Sequence, residues 1–143
     1  MSSKPFEYIE HTADLRFKSY GKTLGECFSN AAKAMFNAIV NPSTVKGRTE
    51  KTIKLSSPKL ELLMHDWLSE ALFLFEDEGI LFSDFKVEVE ENKGFELTGT
   101  LRGEKYDPKR HVILTEIKAV TYHEMKIKKE EKGIWSAEVL CDI

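Results

Sequence analysis

Cysteine is scarce in this chain. Only Cys27 and Cys141 are present, with neither the close spacing of a zinc site nor the recurring spacing of a secreted disulfide framework, so a reducing compartment is expected. Long apolar runs are missing as well: residues 71–75 form the longest, far short of the ~20 residues that cross a bilayer. The first five residues carry no apolar stretch of the kind that marks a secretory signal. These absences predict a soluble, cytoplasmic protein with no membrane partner.

Neither sign of charge dominates. Lys and Arg number 21 against 24 Asp and Glu, a net charge of −3. That balance argues against a chain whose own main partner is a nucleic acid, because phosphate binding relies on clustered cations. Also absent are a Gly-x-Ser-x-Gly nucleophile turn, a Walker-type phosphate loop and a paired-histidine zinc signature. Catalysis would therefore have to come from scattered residues.

What is present reads as one globular domain over residues 1–143, with 41% hydrophobic and 31% charged residues. A chain of that length buries roughly two-thirds of its unfolded surface around a single core. Residues 6–9 and 15–20 read as short strands flanking a polar turn at 11–14. Thr23 and Glu26 have the spacing of a capping box, and Leu24, Cys27, Phe28, Ala31, Ala34, Met35, Ala38 and Ile39 recur at helical spacing until Asn41-Pro42 stops the ladder. Residues 49–56 alternate, and Ser57-Pro58 supplies a cap and a first-turn proline for a second helix. Its expected buried stripe is Leu60, Leu63, Met64, Trp67, Leu68, Ala71, Leu72 and Phe75. Glu76, Asp77 and Glu78 fall where the helix dipole disfavours negative charge, and a solvated face is the expectation.

From Ile80 onward period two prevails: residues 80–90, a turn at 92–94, residues 95–102, residues 116–128, a turn at Gly133 and a last strand over 134–143. The stretch 103–114 is neither clear helix nor clear strand, and it carries Lys105, Asp107, Lys109, Arg110 and His111; long segments of this kind tend to be functional or mobile. The architecture inferred is α+β, a mostly antiparallel or mixed sheet with two helices packed on one side.

The last strand ends on Cys141, Asp142 and Ile143. Because strand residues rise by only ~3.3 Å, the Asp142 side chain and the main-chain carboxylate of Ile143 form a compact pair of oxygen groups that repel unless a cation or donors neutralise them. Asp14 would add a third oxygen ligand if the termini meet, and such a set suits calcium, magnesium or manganese. The plain alternatives are a solvated chain end for Asp142 and an Asx turn for Asp14. His11, His65, His111 and His123 share no spacing that implies a metal. His65 is expected on a helix surface, and His123 at the edge of the core with a hydrogen-bond partner.

Four blocks carry a resemblance to a known family: Glu10-His11-Thr12-Ala13-Asp14-Leu15, Trp67-Leu68-Ser69-Glu70-Ala71-Leu72-Phe73-Leu74, Glu116-Ile117-Lys118-Ala119-Val120-Thr121-Tyr122-His123 and the closing Asp142-Ile143. In their order along almost the whole chain they resemble the archease family, whose members activate the GTP-dependent RNA-splicing ligase. Leu15, Ala71 and Cys141 depart from the family pattern, but none is a candidate ligand. The resemblance implies an archease-like fold and a non-catalytic protein partner of the ligase that meets RNA only through that enzyme. It also implies a divalent metal site, calcium foremost, formed by Asp14, Asp142 and Ile143, with His11 shaping the loop. The competing readings are a small metal-dependent phosphohydrolase and a general chaperone or modulator of RNA-modifying enzymes acting through exposed apolar patches.

Overall fold

The computed structural model describes residues 4–10 and 14–143. Strands β1 (Phe6–Ile9) and β2 (Asp14–Gly21) lead into helix α1 (Leu24–Ile39), and a 3-10 turn at Pro42–Thr44 precedes β3 (Thr49–Ser57). Helix α2 (Leu60–Glu78) follows, then β4 (Ile80–Glu91), β5 (Phe95–Lys105), β6 (Ala119–Lys129), a 3-10 turn at Glu131–Gly133 and β7 (Trp135–Asp142). Among the described residues, no helix is long and apolar enough to cross a membrane.

The α+β class, the antiparallel pairing and the two helices agree with the sequence reading. The strands divide into two sheets, ordered β1-β2-β7-β6 and β3-β5-β4. Period two locates hairpins but not which hairpins share an edge, and here β7 returns to pair with β2. Each helix touches both sheets: α1 packs on β4 and β2, and α2 on β6 and β3.

Local signals explain the helices. The Thr23 hydroxyl accepts from the Glu26 N–H at 3.1 Å, and the Glu26 carboxylate reaches back to the Lys22 N–H at 3.0 Å, a capping box displaced by one residue at its return bond. The expected cap for α2 does not form: Lys59 holds the N-cap position without a side-chain bond, and Ser57 is the last residue of β3, its hydroxyl 3.3 Å from the Lys59 N–H. Helix α2 ends at Gly79, whose φ of 71° suits a residue without Cβ and lets its N–H bond back to Leu74 and Phe75.

The core lies between helices and sheets around Phe17, Phe28, Phe36, Trp67 and Phe82, all with no exposed surface. Trp67 is the joint between layers. Its indole N–H donates to the Phe28 carbonyl of α1 at 3.0 Å, and its ring lies on Gly99 of β5, where an added Cβ would come within 2.4 Å of the ring.

Candidate functional site

In the β2–β7 pair, Phe17 sits opposite Val139 and Ser19 opposite Ala137, all buried. A slip of one residue would turn that set to solvent, so burial fixes the register, and the same register sets Asp14 opposite Asp142 at the strand ends. Residues facing each other in this way project from the same face with Cβ atoms about 4.5–5.5 Å apart. Asp142 is exposed and Asp14 half-buried. On the other flank of β7, Ala119 of β6 pairs with Asp142, and the Lys118 N–H donates to the Asp142 carbonyl at 2.8 Å.

Three of the four sequence blocks therefore converge on one strand end, Asp14 from the first, Lys118 and Ala119 from the third, and Asp142 with Ile143 from the last. The remaining block, around Trp67, builds the core. Cys141 feels both acids: burial first, then the charges of Asp142 and Asp14, push its thiol up to about 12. A thiol held there is not a nucleophile. The thiol of Cys27, also buried, is pushed up to about 11, chiefly by desolvation.

The donors at this tip are hard oxygens, which fit calcium, magnesium or manganese rather than a thiolate-seeking ion. Among the described residues, no three side chains of His, Cys, Asp or Glu gather there. Among the described residues the side-chain complement is thus the aspartate pair, and hard ions of this type also accept main-chain oxygens and water. His11, read as shaping the loop, lies outside the described residues.

His123 is corrected. Its side chain is 79% exposed, with Nε2 3.7 Å from a Glu124 carboxylate oxygen, rather than at the core edge. The cause is a bulge: the β6–β7 register shifts between Thr121 and Lys126, and Glu124 takes a φ of 60°. Val120 faces the core before the bulge and Met125 after it, so the alternation changes phase and His123 is turned out. The strand also starts at Ala119, three residues later than the pattern suggests. His65 is half-buried on α2, with Nδ1 3.0 Å from Asp66 and its ring edge-on to Tyr122 at 6.3 Å.

The sequence reading passed over Glu104. Alternation along β5 would turn it outward with Arg102, yet it is 4% exposed, because the following segment folds back over it. One carboxylate oxygen accepts from Arg110 at 2.5 Å and lies 3.6 Å from the Arg48 guanidinium. The other accepts from the Lys46 N–H at 2.8 Å and faces His111 Nε2 at 3.1 Å. The Asp107 N–H donates to His111 Nδ1 at 2.9 Å, so Nε2 bears the ring hydrogen and also faces the Thr44 carbonyl at 3.1 Å. Arg110 first, then the Lys46 N–H and His111, hold the Glu104 carboxyl down at about 2 against the desolvation that opposes them. The signal available was the density of alternating charges over residues 102–111, which marks a network but not which member is buried.

The archease protein family model matches residues 6–143. A protein named archease from Methanosarcina mazei is 48% identical over 142 residues, covering 98% of this chain and 97% of that protein. One of the same name from Pyrococcus furiosus is 41% identical over 141 residues, covering 98% of this chain and 99% of that protein. The solution structure of protein 1598 from Methanobacterium thermoautotrophicum superposes with a TM-score of 0.86 at 40% identity, covering 97% of this chain and 99% of that one. From β1 through the Trp67 core to the acidic end of β7, the match spans every element described, and the chain belongs to the archease family.

Proposed function

We propose that this chain is a non-catalytic activator of the GTP-dependent RNA-splicing ligase, acting as one cytoplasmic domain to promote guanylylation of that enzyme and its multiple turnover in tRNA splicing and RNA repair. The observation that carries the reading is the cross-strand pairing of Asp14 with Asp142 in a member of the archease family. Asp14, Asp142 and the main-chain carboxylate of Ile143 would hold a divalent cation, calcium by preference, with magnesium or manganese as alternatives. Such an ion supplies positive charge for phosphate oxygens.

The protein's own contribution is presentation. Flanking strands on both sides of β7 and the Lys118 bond to the Asp142 carbonyl hold the acids on a rigid strand end, and sites built on strands are held more tightly than sites on loops. The tip docks at the entrance of the ligase active site and binds the nucleotide-reactive state of that enzyme more tightly than its resting state, which is what coupling of this kind requires. RNA is met only through the ligase. Guanylylation of the cognate ligase, measured with and without this protein, is expected to rise with the wild type and to stay at its basal rate with Asp14→Ala. Equal stimulation by the variant would overturn the reading.

A further inference from the structure

The segment that folds over Glu104 also borders an open surface depression of about 480 Å³, lined among others by Arg48, Lys105, Tyr106, Asp107 and Arg110. That volume lies within the range of small-molecule sites. Three cations and two acids line it, and both acids have protein donors beside them. Glu104 accepts from Arg110, the Lys46 N–H and His111. Asp107 accepts from the Lys109 N–H at 2.9 Å and lies 3.7 Å from the Arg110 Nε.

Two of the cations, Arg48 and Lys105, are less fully engaged. Arg48 is 65% exposed and approaches Glu104 only to 3.6 Å, and Lys105 has no ion-pair partner among the described residues. Arg110 is held in one orientation by Glu104 and Asp107, so ordering it on binding an anion costs little. Guanidinium groups fixed in this way match phosphate oxygens through paired N–H donors. Beside them Tyr106 is pinned by its N–H bond to the Gly79 carbonyl at 2.7 Å. Its ring stacks over His111 at 6.2 Å and 28° and remains 41% exposed, which leaves aromatic surface for a planar ligand.

We propose that this depression binds a mononucleotide, with its phosphate on Arg48, Lys105 and Arg110 and its base stacked on Tyr106. Neither the family assignment nor the acidic tip enters this inference. The test is a titration of the full chain with AMP, followed by backbone amide shifts in NMR, with inorganic phosphate alone as comparator. Saturable shifts confined to residues 48–49 and 104–110 are expected, and the affinity should fall with added salt. Lys105→Ala should weaken AMP binding by about tenfold, the scale of one charge-assisted hydrogen bond, and Tyr106→Leu by a factor on the order of ten from lost stacking. Both side chains are exposed, so the variants should retain the wild-type spectrum elsewhere. Absence of saturation at millimolar AMP, shifts unaltered by both variants, or phosphate alone binding as tightly as AMP would each overturn the proposal.

Discussion

Asp14 and Asp142 face each other across β2 and β7, and like charges directly opposite in an antiparallel pair cost roughly 0.2–1 kcal/mol. Asp142→Asn removes one of the charges at nearly constant volume. In buffer containing a chelator, the variant should therefore be at least as stable as the wild type and by as much as about 1 kcal/mol more stable. For a chain of this size that corresponds to about 4 °C in melting temperature. Calcium should invert the order. At a hundredfold excess over its dissociation constant, a ligand that binds only the folded state adds about 2.7 kcal/mol, about 10 °C on the same scale, to the wild type. The variant, with one carboxylate fewer, should gain little. Calorimetric melts at pH 7 with chelator, calcium, magnesium or manganese read both effects. Asp142→Asn melting below the wild type in chelator would show that the pair is not repulsive, and an equal rise of both proteins in calcium would show that the ion does not sit between these strands.

Three further outcomes test the fold around the site. Trp67→Ala removes a fully buried ring and should cost about 3–5 kcal/mol, whereas Trp67→Phe, which loses the bond to the Phe28 carbonyl and part of the ring packed on Gly99, should cost less, about 1–3 kcal/mol; urea unfolding separates the two, and a near-unchanged midpoint for the alanine variant would refute the packing. Gly99→Ala drives a methyl to within 2.4 Å of that ring and should cost about 1–3 kcal/mol in the wild type but almost nothing in a Trp67→Ala background, so additive costs in a double-mutant cycle would contradict the contact. Because the folded-state carboxyl of Glu104 is held at about 2, against an ordinary value of 4.5, its contribution to stability is complete above pH 4.5 and is lost as pH falls from there toward 2. Glu104→Gln should flatten that part of the stability profile, and an unchanged slope would show that the network is not coupled to folding.

Local pattern made much of this fold legible. Helix α1 begins at Leu24 and ends at Ile39, as the capping residues and the Asn41-Pro42 stop indicate, and the interior of the α2 stripe, Leu63 to Leu72, is buried as its spacing requires. What pattern cannot carry is pairing at a distance. The split into two sheets depends on β7 returning to β2, a contact between the two ends of the chain. The same pairing decides the candidate site: sequence adjacency joins Asp142 to Ile143, but only the β2–β7 register sets Asp14 opposite Asp142. His123 was misplaced because a bulge changes the phase of β6, with Tyr122, His123, Glu124 and Met125 standing opposite Val139 alone. Glu104 was missed for a related reason. Its alternation phase is that of an exposed residue, and it is buried by the segment carrying Arg110 and His111 rather than by its own strand.

The most direct measurement is multiple-turnover RNA joining by the cognate ligase, counted as ends joined per ligase molecule, with wild type, with Asp142→Ala and with no added protein. Wild type should drive several turnovers, and Asp142→Ala should leave the ligase near the level seen alone, since its acidic pair is broken. Equal turnover with the variant, or no stimulation by wild type, would contradict an activator working through the paired strand ends.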